Sequence, residues 1–502
     1  MPQRPVSLTA PRGSVAADVV REGIDALLAP AADDLPLGFP ADALAEAEQA
    51  AARSLETADG VEAAERTDRT EVPFVTLDPA SSTDLDQAMH LERHGGGFRV
   101  LYAIADVPWF VALGGPLDRE ARRRGQTVYL PDRRIPLHPE VLSEGVASLL
   151  PDQDTPAFVW VLDLDGIGEI RGIGLERSRV RSVQKLAYEE VQAELDRGEG
   201  HPMMVLLQEI GALRARQESV RGGASLNVPE QEVVEEGERL HLGWRRPHPI
   251  GDANAQISLM TGMAAAQLML EHGAGILRTM PPAQAQAMDR FRRQAEALRI
   301  PWPTGQAYGE FLRSLDWQDP AHLALLNHAT SLFRGASYAA FTSADEIPED
   351  TVQAAIAAPY AHATAPLRRL VDRFVLLVCH AHVQGRAPDP DLLAALGEIP
   401  EAMRGSGARA GELERAALDL VEAAALATWQ GETFAATVID RREGKQAEGA
   451  APTRVEVQLT DPPVTAWVPM DADLGAVVRV RLESVDTAAR HAEFVAADGV
   501  RS

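Results

Sequence analysis

The chain has 502 residues, 45% hydrophobic and 24% charged, with a formal net charge of −26. That is a globular composition long enough for several domains. The single cysteine, Cys379, excludes an internal disulfide framework and fits a reducing compartment. No 18-residue apolar run is present and the N-terminal residues carry no apolar signal core. A soluble cytoplasmic protein with no membrane association is therefore expected. The acidic balance argues against a nucleic-acid partner unless the basic residues are concentrated. They are nearly all Arg, since Lys185 and Lys445 are the only lysines. Clusters occur at Arg119 to Arg134, Arg171 to Lys185 and Arg368 to Arg373. A few such clusters can bind a phosphate backbone, because guanidinium offers planar, bidentate donors. The alternative is pairing with the abundant Asp and Glu, which is expected along Arg290 to Arg299.

In chain order, residues 14–29 and 41–57 show helical periodicity and are separated by the Pro/Asp-rich link Pro30 to Pro40. They predict a small helical N-terminal unit, with a helix-turn-helix as one option. From Val72 to about Gln184 the pattern is strand-rich. Phe98 to Val107 reads as a central strand, and Ala157 to Leu164 as another that turns at Asp165-Gly166. From Tyr188 to about Val383 helical patterns dominate, with apolar residues spaced as core stripes. The apolar run ending in Cys379 makes that thiol a core residue. Residues 391–429 are again helical. From Gly431 short alternating strands follow: Phe434 to Ile439, Arg454 to Leu459, Val464 to Val468 and Val477 to Leu482. They predict a small barrel such as an OB-fold, serving either as a single-strand nucleic-acid clamp or as a packing module.

The segment Asp78-Pro79-Ala80-Ser81-Ser82-Thr83-Asp84-Leu85-Asp86 places three carboxylates within nine residues, directly after the apolar run Val72 to Leu77. Pro, Ala and Ser between the carboxylates indicate a tight loop. Crowded carboxylates repel one another and call for a cation. Hard oxygen donors without His or Cys suit magnesium or manganese, and such centres hydrolyse or transfer phosphate esters. Taken alone, the segment is equally readable as a solvated acidic loop.

The blocks that follow remove that ambiguity. After Thr83 to Ala88 come Tyr102-Ala103-Ile104-Ala105-Asp106-Val107, Leu117 to Ala121, and Arg124-Gly125-Gln126-Thr127-Val128-Tyr129-Leu130-Pro131. Ile135-Pro136-Leu137-His138-Pro139, Val180-Arg181-Ser182, Leu186 to Val191 and finally Tyr360 to Asp372 complete the series. In this order they resemble the catalytic (RNB) domain of the ribonuclease II/ribonuclease R family. The resemblance covers about residues 70–385 and continues into the C-terminal barrel. It implies an α+β protein with an RNB-type mixed α/β core and a C-terminal five-stranded OB-fold barrel. The expected units are a small helical N-terminal domain (1–69), the RNB domain (70–385), a helical connector (386–430) and the OB-fold (431–502).

The resemblance also implies a magnesium-dependent hydrolase, with manganese as a possible substitute. Such an enzyme degrades single-stranded RNA from its 3′ end to nucleoside 5′-monophosphates. A monomer is expected, and no protein partner is predictable. By position, Asp78, Asp84 and Asp86 match metal-holding carboxylates, with Asp84 and Asp86 central to catalysis. Arg368 matches the arginine that binds the scissile phosphate, and Tyr129 the aromatic that stacks on a terminal base. Arg181 is either an RNA backbone contact or a structural salt bridge, and Arg369 is the weaker RNA candidate, since one of two adjacent Arg residues usually faces elsewhere. His362 is expected to be structural. The sequence departs from the family at Gln87, where a fourth carboxylate is expected and only a carbonyl oxygen is available to a metal. Asn254 and Gln256 stand where an acidic contact to the terminal ribose is expected. Ala365 and Leu370 replace a Ser and a Tyr, and the N-terminal unit is too short and helical for tandem cold-shock barrels. Two other readings stay open: an RNA-binding protein without catalysis, and a phosphohydrolase of small esters.

Overall fold

The computed structural model describes residues 6–9, 15–31, 35–53, 66–224, 229–236, 239–245, 248–442, 453–462 and 464–497. Lys445 lies outside them. Strand β1 (Val6–Thr9) precedes two helices, Val15–Leu28 and Ala41–Ala51. The core that follows is a closed barrel. Its strands are β2 (Thr67–Asp78), β3 (Gln87–His94), β4 (Gly97–Ala105), β7 (Asp154–Leu164) and β8 (Ile170–Ala187), in the order β2-β3-β4-β7-β8. The ring closes through a parallel β2–β8 pairing, and its other pairings are antiparallel. Between β4 and β7 lies a short hairpin, β5 (Val128–Tyr129) and β6 (Arg134–Ile135).

The period-two pattern of β4 and β7 sorts their side chains to two faces. Leu101, Ala103, Ala157 and Val159 join Phe74, Ala88 and Val180 in the barrel lumen. Three of these are alanines, as a narrow five-stranded lumen requires. The alternate residues Val100, Tyr102, Ile104, Phe158, Trp160 and Leu162 face outward. They are buried there against the helices Pro202–Arg221, Pro249–His272 and Leu370–Val383. The strands are thus apolar on both faces. Cys379 is buried in this layer, as its apolar surroundings predict.

The predominantly helical stretch after Tyr188 contains strands that periodicity did not indicate. β9 (Glu230–Glu236) and β10 (Arg239–Arg245) form a hairpin, and β1 from the N-terminus pairs with β9 in parallel. β11 (Gly275–Thr279) pairs with β12 (Ser337–Phe341), and β13 (Val352–Gln353) with β14 (Ala358–Pro359). These short strands, set among helical patterns, owe their conformation to partners far along the chain.

The helix Ile399–Ala427 leads to the C-terminal sheet: β15 (Thr433–Arg442), β16 (Arg454–Leu459), β17 (Thr465–Pro469), β18 (Val477–Asp486) and β19 (His491–Ala496). Its order is β17-β16-β15-β18-β19, with the outer strands β17 and β19 in contact, so the sheet is nearly closed into the predicted OB-like barrel. Its core (Val455, Val457, Val480, Leu482, Phe494) is continuous with Leu420 and Val421 of the long helix and with Val20 and Ile24 of the first helix. Gly23 permits that approach, because a Cβ there would lie 2.5 Å from Leu420. Val128 and Ile135 of the β5–β6 hairpin are anchored in the same core.

Candidate active site

Asp78 ends β2, and the loop to β3 carries Asp84 and Asp86, as the turn-forming residues between them predict. The loop is pinned from several sides. Lys185 Nζ donates to the carbonyls of Ala80 at 2.7 Å and Ser82 at 2.6 Å. Ser148 Oγ donates to the Thr83 carbonyl and accepts from the Leu85 amide. The Asp86 carbonyl accepts from the Ala105 amide at the end of β4.

The segment Thr364 to Arg369 closes the site opposite this loop. The buried Asp372 organises it by accepting from the amides of Thr364 (2.8 Å) and Ala365 (2.7 Å). The Leu367 amide in turn donates to Asp86 Oδ1 at 2.7 Å. Arg368, 41% exposed, places Nε 3.5 Å from Asp86 Oδ2. Its neighbour Arg369 turns the other way and donates twice to Asp372. The 364–369 turn is joined to the hairpin through Thr127, whose amide donates to the Arg368 carbonyl.

The β5–β6 hairpin brings Tyr129 and Arg134, which pair across it, to the same carboxylate. Tyr129 is 39% exposed, with its hydroxyl 3.4 Å from Asp84 Oδ2. Arg134 Nη1 donates to Asp84 Oδ1 at 2.6 Å.

Burial dominates the electrostatics of the other two carboxylates. Desolvation pushes Asp78 up to about 7, against the attraction of Arg368 and Lys185, and Asp84 adds repulsion. Asp86 is raised well above the usual carboxylate range for the same leading reason. Burial disfavours the charged form of each carboxylate, and a divalent cation at this loop would stabilise it. The expected cage of three carboxylates is not formed. Asp84 is bound by Arg134, and among the described residues no group of three His, Cys, Asp or Glu side chains is placed to hold a metal.

Gln87 does not offer the expected metal contact. Its Oε1 accepts from the Tyr102 hydroxyl at 2.5 Å, and its Nε2 donates to the Thr364 carbonyl at 2.7 Å. The amide is a structural clamp between β3, β4 and the 364–369 turn. Asn254 lies in the wall of the site, donating to the Tyr188 hydroxyl at 2.9 Å, and its buried Oδ1 has no partner among the described residues. Gln256 points elsewhere, to Glu218. Arg181, expected on RNA, pairs with Asp154 at 2.6 Å. Arg171, Arg177 and Arg179 likewise pair with Asp165, Asp106 and Asp68, so this basic cluster is largely neutralised within the protein. Arg290 pairs with Asp440. His362 accepts or donates a bond to the Tyr338 hydroxyl at 2.7 Å, in keeping with a structural role.

Sequence reasoning missed Arg134, Asp372 and the loop-pinning role of Lys185. Of these, Arg134 left a signal: it follows the turn Pro131-Asp132 that folds it back beside Tyr129.

This arrangement of a barrel with acidic residues at its rim, a converging arginine turn and a second small barrel defines a known class. The RNB domain matches residues 66–385, and the RNase II-type exonuclease C-terminal S1 domain matches residues 432–497. The chain belongs to the RNB-domain family. Among relatives, ribonuclease R of Escherichia coli K12 is 30% identical over 328 residues, covering 61% of this chain and 39% of that protein. The chain thus spans well under two thirds of the length of the curated relatives it matches. Mycoplasma genitalium RNase R, solved in complex with ribose-methylated single-stranded RNA, superimposes with a TM-score of 0.81 at 19% identity. That match covers 96% of this chain and 78% of the other. Yeast Ssd1, a pseudonuclease, matches with a TM-score of 0.66 at 18% identity, over 86% of this chain and 54% of the other. Among the described residues no helix is long and apolar enough to cross a membrane.

Proposed function

We propose that this chain is a hydrolytic 3′→5′ exoribonuclease that releases nucleoside 5′-monophosphates from single-stranded RNA. The observation that carries the proposal is Asp86. It is buried, clamped by the Leu367 amide and faced by Arg368 at the rim of a family-defining barrel. A buried carboxylate held against a half-exposed guanidinium suits displacement at phosphorus better than it suits stability, since burial of the charge is costly.

In this reading Asp78 and Asp86 hold magnesium or manganese. When bound, the cation supplies Lewis-acid stabilisation of charge on the phosphoryl oxygens. Arg368 binds the scissile phosphate and stabilises charge developing on it. Tyr129 stacks on a terminal base, which any base permits. Asn254, buried beside Tyr188, is the candidate for hydrogen bonding a ribose hydroxyl, a contact DNA cannot make at the 2′ position. Arg369 acts through Asp372 to hold the turn, and Arg181 has no direct role in cleavage. The acidic exterior is compatible with RNA because the cations that matter are few and local.

A second reading is an RNA-binding protein without catalysis. The neutral Gln87, bonded to Tyr102 and Thr364, and the ion-paired Asp84 favour it, and one structural relative bears the description pseudonuclease. The deciding experiment is digestion of 5′-labelled single-stranded RNA with magnesium or manganese, by the wild type and Asp86→Asn. A shrinking ladder that the substitution abolishes supports the exonuclease. Tight binding with no degradation under either metal overturns it.

A further inference from the structure

Three guanidinium groups lie near enough to His362 to disfavour its protonation. Desolvation, and then the positive charges of Arg369, Arg278 and Arg368, push its pKa well below the usual value. The three differ in what neutralises them. Arg369 donates twice to Asp372. Arg368 has the longer contact to Asp86 Oδ2, at 3.5 Å. Arg278 has no carboxylate, and among the described residues its guanidinium makes neither an ion pair nor a hydrogen bond. In a chain of net charge −26 that is informative, because Arg171, Arg177, Arg179 and Arg181 on the barrel are all paired.

The fold holds Arg278 in place. Its residue lies on β11 opposite Tyr338 of β12, and its amide donates to the Tyr360 carbonyl at 2.8 Å. Its guanidinium carbon stands 4.5 Å from the centroid of the Tyr338 ring. That ring is fixed in turn, since its hydroxyl is bonded to His362 Nδ1 at 2.7 Å. Tyr360 packs edge-on against the same imidazole, with ring centroids 5.5 Å apart. Stacking on a ring uses the face of a guanidinium and leaves its in-plane N–H donors for an acceptor. Arg278 is partly exposed, so those donors can be reached.

Clustered like charges repel one another, and an anion relieves the repulsion. In the nuclease reading, on which this inference rests, Arg368 takes the scissile phosphate. RNA that ends in a 3′-hydroxyl carries no phosphate on the terminal side of that bond. A second phosphate at this cluster is therefore the next one upstream. We propose that Arg278, on the platform of Tyr338 and His362, binds the phosphate one nucleotide upstream of the scissile one and so sets the shortest RNA that the site holds well. A dinucleotide with a 5′-phosphate supplies that group, and one with a 5′-hydroxyl does not.

The test is binding to the full chain without metal, read by competition against a short labelled single-stranded RNA. The wild type should prefer the 5′-phosphorylated dinucleotide by at least about fivefold, and Arg278→Ala should lose the preference. With the longer RNA, Arg278→Ala should lower the slope of log affinity against log salt by about 0.7, the share of one phosphate contact on a single strand. Arg278→Lys, which keeps the charge, should retain the slope, and so should Arg171→Ala, whose charge is already paired. Equal affinity of the wild type for the two dinucleotides, or binding of neither, overturns the proposal without any variant having to fold. So does a preference that survives in Arg278→Ala. Digestion of the labelled RNA with magnesium or manganese separates the two claims. A preference without degradation sinks the nuclease reading alone, and degradation without a preference sinks the role of Arg278 alone.

Discussion

The chain builds two five-stranded barrels and uses them differently. The strands of the RNB barrel are buried on both faces, with small residues inside and helices outside, as β4 shows along nearly its whole length. In the C-terminal barrel β18 alternates, with Val478, Val480 and Leu482 buried and Val477, Arg479 and Arg481 exposed. A barrel wrapped by helices can hold a carboxylate out of water at its rim, and it holds Asp86 there. A barrel with a solvated outer face can present rings and guanidinium groups to a polymer, as Arg442 over Trp467 does at 4.2 Å. On the proposed reading one barrel supports chemistry and the other contact, and what covers the outer face makes the difference.

That contrast can be broken experimentally. The largest effect is expected from Asp86→Asn, which should lower the rate of RNA hydrolysis by about a thousandfold or more while leaving RNA affinity within a fewfold. Single-turnover cleavage and filter binding measure the two quantities. An equal loss in both would place Asp86 in binding and not in chemistry. In the layer between the RNB barrel and its helices, Trp160→Ala should cost about 3–5 kcal/mol in urea unfolding, because Trp160 is fully buried. A value below about 1 kcal/mol would mean the outer face is not packed as described.

On the C-terminal barrel, Trp467→Ala should weaken single-stranded RNA binding by about 1–3 kcal/mol and leave cleavage of bound RNA unchanged. If cleavage falls and affinity does not, the division of labour between the barrels is wrong. A further effect concerns pH. Asp78 has a folded-state pKa of about 7, above its unfolded value, so the folded protein holds that proton more tightly. Its stabilising contribution is therefore complete below pH 4 and is lost as pH rises through about 7. Without metal, the wild type should lose about 4 kcal/mol across that window relative to Asp78→Asn. Magnesium should offset the loss increasingly as pH rises, and thermal melts with and without the ion read both effects.

The regions that were legible are those whose chemistry lies within a short segment. Asp78, Asp84 and Asp86 announced themselves because carboxylates in a turn demand an explanation, and the C-terminal strands because alternation is a local property. The bonding of Gln87 was not legible because its three partners, Tyr102, Ser258 and Thr364, lie 15, 171 and 277 residues away. Arg181 and Arg369 looked like RNA contacts because charge is visible in a sequence, whereas their carboxylate partners Asp154 and Asp372 are identified only once the chain is folded. Asn254 and Gln256 stand two residues apart on one helix and so face different ways, one into the site and one to Glu218.

Composition, alternation and the order of motifs were enough to establish the class of fold, the acidic loop, the buried thiol and the C-terminal barrel, since each depends on neighbours within one element. The closure of the first barrel, the strands hidden among helices and the occupation of Asp84 by Arg134 were settled by packing. Burial and ion pairing are relations between residues distant in the chain, and they decide how each carboxylate of the loop is held.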